Sequence, residues 1–435
     1  MIDFSSLQGD TLWERWQYFA QTTPDKEAII HWRAADEPYR WTFSSLLETA
    51  NKFSLYLKNI GVKKGDVCAI IIRHNPYFYP FYLGIAGIGA LPSVLAYPNP
   101  RLHPDKFRQG LSGMAQRSGL DWIFTETPLE DIIQPFVEDE STTVDELFFP
   151  LEWDLNREID QAAIQELSEI RTAIKSDEPM LLQHSSGTTG LQKPVVLSHD
   201  AVLKHVEYYG KSIELSEDDK TVSWLPLYHD MGLIAAYHLS LASGITTIQI
   251  DPFEWVLAPI LLFMASSEEK ATLTWLPNFA YNLMADKLSD EEMEDLSLES
   301  FRMIVNCSEP VRSDSHKKFI DRFNKYGLKS NAIAAMYAMA ETTLAVTQTA
   351  TNKQALEVSI DREALSNGKI VLTDNPLKNR ICVSSGKLIE GCTLKIVDDS
   401  RNEVAEDGSG EIAVKSVSMF SGYRNYPEKT AEVVD

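Results

Sequence analysis

Phe43, Leu46, Leu47, Ala50, Phe53 and Leu57 recur at the spacing of one helix face, with polar residues between them. Thr42 can accept from the free N–H groups of a first turn, and Gly61 suits a helix stop. After Asp66, Val67–Ile72 is an unbroken apolar run, the pattern of a strand covered on both faces. The stretch from Tyr77 to Tyr97 carries no charge. It is long enough to cross a bilayer, which takes about 20 residues. Pro80 and Pro92 interrupt it, however, with Gly84, Gly87 and Gly89 between them. The pattern therefore predicts a buried helix followed by a core strand at Ser93–Leu95, and no integral membrane segment.

A helix over Pro104–Ser118 and a strand at Trp122–Thr125 follow. Residues 128–177 are acidic and irregular, then helical around Ala162–Ile174, and read as a surface connection. Strands at Thr221–Leu225, Ile245–Ile250, Ala271–Trp275 and Phe301–Asn306 alternate with helices, which predicts an α/β architecture with parallel pairing. From Gln354 the pattern changes to short β runs at Lys369–Leu372, Arg380–Ser384, Leu394–Val397 and Glu411–Val414, with a turn at Glu406–Gly410. These changes divide the chain into 1–175 and 176–353, both α/β, and a small antiparallel β subdomain over 354–435.

Composition narrows the functional classes. With 40 basic against 63 acidic residues the net charge is −23, the wrong sign for a nucleic-acid surface. The 435 residues are 44% hydrophobic, enough for two or three packed units. Cys68, Cys307, Cys382 and Cys392 show neither a zinc-ligand spacing nor a disulfide framework. Met1-Ile2-Asp3-Phe4 does not begin a signal peptide, so a cytoplasmic setting is expected.

The stretch Leu181–His199 holds the most concentrated candidate chemistry. Apolar runs at Met180–Gln183 and Val195–Leu197 flank Ser185, Ser186, Gly187, Thr188, Thr189 and Gly190, with Lys193 close behind. Two glycines let the backbone come close to a ligand, and consecutive N–H groups can form an anion nest. Hydroxyls and the lysine charge complete a polyphosphate-binding inventory. By itself the loop reads more readily as a solvated hairpin turn. A P-loop is excluded by spacing, since two residues rather than four separate the glycines and Pro194 follows Lys193.

Further on, His229 stands in a turn after an apolar strand, and Ser308-Glu309-Pro310 forms a loop at a strand's carboxyl end, where open α/β sheets bind ligands. Taken together, five stretches in fixed order resemble the adenylate-forming superfamily of acyl-CoA ligases, fatty acyl-AMP ligases, adenylation domains and luciferase. They are Ser186–Lys193, Trp224–Leu233, Ser308–Arg312, Ala335–Leu344, and Gly422–Asn425 with Pro427–Thr430. Gln192 and Pro194 depart from the usual Pro and Gly, and Ala338 from the usual Gly.

The resemblance implies two stacked α/β subdomains with mostly parallel sheets plus a small antiparallel β-barrel subdomain. It implies that ATP and Mg²⁺ serve as cofactors in the conversion of a carboxylate to an acyl-adenylate. Ser185, Ser186, Gly187, Thr188, Thr189, Gly190 and Lys193 would hold phosphate oxygens, with Thr188, Lys193 and His229 catalytic. Ser308, Glu309, Pro310, Met336, Tyr337 and Ala338 would enclose the nucleotide, with Tyr337 stacking on adenine, and Glu341 would bind Mg²⁺. His229, Asn278, Phe279 and Met339 would face the acyl substrate, although the aromatics near Pro277–Asn282 serve equally as ordinary core.

Asp361–Leu365, Val383–Lys387 and the long interval from Glu341 to Gly391 resemble the fatty acyl-AMP ligase branch, which passes its acyl group to a carrier-protein thiol. Lys193 and Trp275-Leu276 depart from many of that branch, so an acyl-CoA ligase, with CoA as acceptor, is the alternative. An amino-acid adenylation domain is disfavoured by Tyr228-His229, and a non-catalytic nucleotide- or lipid-binding domain draws support only from Gln192 and Pro194. The family continues into a C-terminal lid domain that carries a catalytic lysine. This chain is therefore expected to act as the large domain alone, with weak or no adenylation activity of its own.

Overall fold

The computed structural model describes residues 1–34, 36–98, 103–139, 142–144, 146–185 and 193–434. Its largest sheet has nine strands, in the spatial order Lys387–Leu388, Ala345–Gln348, Ile333–Ala338, Met303–Asn306, Leu273–Leu276, Lys220–Ser223, Thr246–Ile250, Glu27–Trp32 and Tyr39–Thr42. The strands from Ile333–Ala338 through Glu27–Trp32 pair in parallel, and antiparallel strands close both edges. Parallel pairing needs helical crossovers that cover the sheet faces, and the inner strands are correspondingly buried except at Lys220.

A second, all-parallel sheet orders Leu91–Val94, Val67–Ile71, Trp122–Thr125 and Leu147–Phe148. The hairpin of Pro179–Ser185 and Lys193–Ser198, extended by Gly422–Tyr423, makes a third, antiparallel sheet. Its strand Pro179–Ser185 lies alongside Leu91–Val94.

The long helix forms as its pattern predicts, over Phe43–Ile60. Thr42 and Ser45 exchange a reciprocal capping box, and Gly61 ends the helix at φ +103°. Its apolar face packs on helix Phe78–Ala86, all of whose residues are buried, so the uncharged stretch from Tyr77 is core. Among the described residues no helix is long and apolar enough to cross a membrane.

Two features differ from the sequence expectation. Strand Glu27–Trp32 and the edge strand Tyr39–Thr42 beyond it were not anticipated, and with Lys387–Leu388 they make the largest sheet draw on all three expected segments. Partners this distant in sequence leave no local signature, so such a boundary is not legible in the chain. The C-terminal β region is antiparallel as expected, but pairs as two ribbons, Glu357–Asp361 with Asn379–Val383 and Cys392–Val397 with Glu411–Ser416. Lys369–Leu372 contributes only isolated bridges.

Parallel strands present their carboxyl ends along one edge of the sheet. The segments after Lys220–Ser223, Leu273–Leu276, Met303–Asn306 and Ile333–Ala338 therefore converge there, facing the end of the hairpin where Ser185 pairs with Lys193.

Candidate functional site

At that convergence lies a cleft of about 550 Å³. His184, Ser185 and Lys193 come from the hairpin, Trp224, His229, Asp230 and Met231 from the next loop, and Phe279, Ser308, Glu309 and Ala338–Glu341 from the loops beyond. A second cavity of about 490 Å³ adjoins it and shares Ser308, Glu309 and Ala338. Pro310, Met336 and Tyr337 line this neighbour, together with Arg380–Val383 of the first ribbon.

The His229 loop is held by its own backbone. His229 N–H donates to the Pro226 carbonyl at 3.1 Å, and the His229 carbonyl accepts from Leu233 N–H at 2.9 Å. The chain then enters a π-helix over Met231–His238, a winding that often marks functional sites. Gly232 is required there, because a Cβ would lie 2.5 Å from the Pro226 carbonyl oxygen. The His229 ring is exposed to the cleft, while the surrounding walls push its pKa down by desolvation. At neutral pH it is mainly an uncharged imidazole, which donates a hydrogen bond from one nitrogen and accepts at the other. Asp230, half-buried beside it, accepts a local bond from Met231 N–H, at 2.7 Å. Burial first, and then the Glu341 charge, push the Asp230 carboxyl up to about 6.

Glu341 sits on the single turn Ala340–Thr342. The Tyr423 hydroxyl donates to its Oε1 at 2.6 Å, and Phe420 N–H donates to its backbone carbonyl at 2.8 Å. Lys193 Nζ lies 5.3 Å from the centre of the Tyr423 ring. The cleft's apolar wall is aromatic. Trp224 stacks on Trp255 with centroids 3.6 Å apart and planes 2° from parallel, and Phe279 meets both edge-on at 6.2 and 6.3 Å. Trp255 is fully buried, so the visible wall is backed by a second ring.

The structure sorts the candidate residues. Ser185, Lys193, His229, Phe279, Ser308, Glu309, Ala338, Met339 and Glu341 line the main cleft, and Pro310, Met336 and Tyr337 its neighbour. Ser186, Gly187, Thr188, Thr189 and Gly190 lie outside the described residues. Asn278 is absent from the wall. It is buried, with its amide donating to Ser315 Oγ and its carbonyl accepting from Asn306 Nδ2 and Arg312 N–H. Glu309 spends one oxygen on Phe279 N–H, 2.8 Å away, at the start of helix Asn278–Lys287. Ser308 adopts φ +69°, a left-handed conformation that is uncommon outside glycine.

Sequence reasoning missed Trp224, Asp230, His184 and Tyr423. The first two stand inside the segment that carried the resemblance, and Tyr423 in another such segment that had been given no role. His184 is buried between Ser118 Oγ, 2.9 Å from Nε2, and Ser93 Oγ, 3.4 Å from Nδ1. Burial pushes it down to about 4, so it is neutral. Only the meeting of the hairpin with the second sheet reveals it.

A family model described as AMP-binding enzyme matches residues 16–424. The chain is 26% identical to a putative acyl-CoA synthetase of Caulobacter vibrioides over 90% of its own length and 67% of the relative. It is 28% identical to a medium-chain-fatty-acid–[acyl-carrier-protein] ligase of Moorena producens, over 78% of this chain and 57% of that one. It thus spans between about half and two thirds of the length of these relatives. Among solved structures it is similar to a fatty acyl-adenylate ligase from Legionella pneumophila in complex with acyl adenylate and pyrophosphate. The TM-score is 0.88 at 25% identity, covering 99% of this chain and 73% of that one.

Proposed function

The chain belongs to the AMP-binding enzyme family, and from that premise we propose that it is the nucleotide- and acyl-binding part of a fatty acyl-AMP ligase. The reaction is the ATP-dependent activation of a fatty acid: a carboxylate oxygen attacks the α-phosphorus, pyrophosphate leaves, and acyl-adenylate forms. The observation that carries this reading is a single cleft joining a lysine, a neutral histidine, a carboxylate and an aromatic wall. A fatty acid needs the wall for its chain, and a polyphosphate needs the charges.

In this reading Lys193, with the hairpin that carries it, holds the departing pyrophosphate. His229, in the same cleft, donates a hydrogen bond to the incoming carboxylate without adding a charge that would trap it. Tyr337 and Met336 border the adenine. Positioning and charge stabilisation are the protein's main contributions to phosphoryl chemistry of this kind.

The donor set at Glu341 fits a hard divalent cation. Its carboxylate is fixed by Tyr423, and Mg²⁺ is commonly held by one or two carboxylates together with substrate phosphates. Mg²⁺ held there would neutralise phosphate oxygens.

The acyl group then passes to a thiol, that of an acyl carrier protein in this reading. A cytoplasmic setting suits the four cysteines, all of which are free thiols.

The test is mass spectrometry of products formed by this chain joined to a fatty acyl-AMP ligase lid domain, with Mg·ATP and a series of saturated fatty acids, run with CoA and with an acyl carrier protein. Acyl-AMP that persists in CoA but is consumed by carrier protein is the expected result. Ready conversion to acyl-CoA would favour the CoA-ligase alternative. If no acid yields an adenylate or elicits ATP–pyrophosphate exchange, and an acyl-sulfamoyl-adenosine analogue does not bind, the reading fails.

A further inference from the structure

Tyr423, which bonds the Glu341 carboxylate, also meets Lys193, so it touches both charged ends of the cleft. Its placement follows from strand pairing. Gly422–Tyr423 runs antiparallel to the hairpin strand, with Tyr423 opposite Val195. Side chains alternate along a strand, so Lys193 shares a face with Val195 and stands diagonal to Tyr423, within reach of a long side chain. This is how the lysine ammonium comes to rest over the aromatic ring.

The flanking backbone ties the same segment to both sides. Ser421 N–H and Arg424 N–H donate to the Val196 and Pro194 carbonyls, each at 2.9 Å. Phe420 N–H bonds the Glu341 carbonyl, Thr343 Oγ1 donates to the Ser418 carbonyl at 2.8 Å, and Ser418 Oγ donates to the Thr342 carbonyl at 3.0 Å. Residues 418–424 thus form a strap from the Lys193 hairpin to the Glu341 turn, and the Tyr423 side chain touches both Lys193 and Glu341.

We propose that Tyr423 is a positioning residue that couples the two halves of the site, its hydroxyl fixing the Glu341 carboxylate and its ring face holding the Lys193 ammonium. The proposal rests on the adenylate-forming reading above. A phenol donating to a carboxylate makes a short, charge-assisted bond. With Oε1 fixed in this way, the Glu341 carboxylate is pre-oriented toward the cleft. Outer partners of this kind typically tune cation affinity 10–100-fold. The cation–π contact keeps the ammonium beside the phosphate side of the cleft without the neutralising carboxylate that an ion pair would require.

The experiment measures ATP binding to this chain by fluorescence, with EDTA and with Mn²⁺, and reads bound Mn²⁺ directly by electron paramagnetic resonance. Tyr423→Phe removes the hydroxyl and keeps the ring. It should weaken Mn·ATP binding roughly 10-fold and leave metal-free ATP affinity unchanged. Tyr423→Met removes the ring face too, and should also weaken metal-free ATP by about two- to fivefold. In a Glu341→Gln background, Tyr423→Phe should add no further loss, because its effect runs through that carboxylate.

Wild-type Mn·ATP affinity in Tyr423→Phe would overturn the coupling, and so would an equal loss in the Gln background. Equal metal-free affinities in Phe and Met would remove the lysine half. Should the Met variant fail to fold, the Phe variant and its cycle with Glu341→Gln still decide the matter. Failure of the wild-type chain to bind ATP with or without Mn²⁺ would instead overturn the functional reading itself.

Discussion

Asp230 gives the most direct test of how the site is built against its own stability. Its carboxyl is pushed from an ordinary 3.8 up to about 6, by burial first and then by the Glu341 charge. Between about pH 4 and pH 6 the folded chain therefore holds a proton that the unfolded chain has released, and stability falls as pH rises through that window. A shift of roughly two pH units corresponds to about 3 kcal/mol at most above pH 6, and residual solvent contact lowers it to about 1–3 kcal/mol. Asp230→Asn removes the charge and keeps an oxygen for the Met231 N–H. The variant should be more stable than wild type by this amount at pH 7.5, and the advantage should vanish below pH 4, where both states of the wild type are protonated. Thermal melts and urea titrations across pH 4–8, without divalent cation, read this directly. A variant less stable at pH 7.5, or a difference independent of pH, would refute the reasoning. Mg·ATP should narrow the gap, since a cation beside Glu341 offsets the same charge.

Other perturbations probe separate parts of the argument. Trp224→Leu removes the inner ring of the double aromatic wall and should move the acid preference toward longer chains in an ATP–pyrophosphate exchange series; an unchanged optimum would place the chain elsewhere. Asp219 receives Arg302 through Nε at 2.7 Å and a terminal nitrogen at 2.6 Å while nearly buried, so Asp219→Asn should cost about 2–4 kcal/mol in denaturant titrations. Gly232→Ala drives a Cβ into the Pro226 carbonyl and shifts the His229 loop. Adenylate formation should drop about 100-fold while ATP affinity holds, as expected for a misplacement near 1 Å.

Much of this protein was legible in its residues. Apolar spacing located the Phe43–Ile60 helix and its caps, because a helix face and its ends are decided within a few residues of sequence. The uncharged stretch from Tyr77 was correctly assigned to the core, since Pro80, Pro92 and the glycines between them are local facts. Short motifs named Lys193, His229, Tyr337 and Glu341, and the structure gathers those four along two adjoining cavities. Other features depended on partners tens to hundreds of residues apart. Strand Glu27–Trp32 belongs beside Thr246–Ile250 only because parallel pairing joins distant segments. Asn278, read as a substrate residue, is turned inward by Asn306 and Ser315, which no local pattern shows. Trp255 backs Trp224, Asp230 shares its field with Glu341, and Tyr423 bridges Lys193 to Glu341, all through tertiary contacts. The sequence by itself determined which chemical groups are available and which local elements carry them. The fold alone decided which groups meet, because hydrogen-bond reach, ring stacking and desolvation depend on separations in space that sequence distance does not encode.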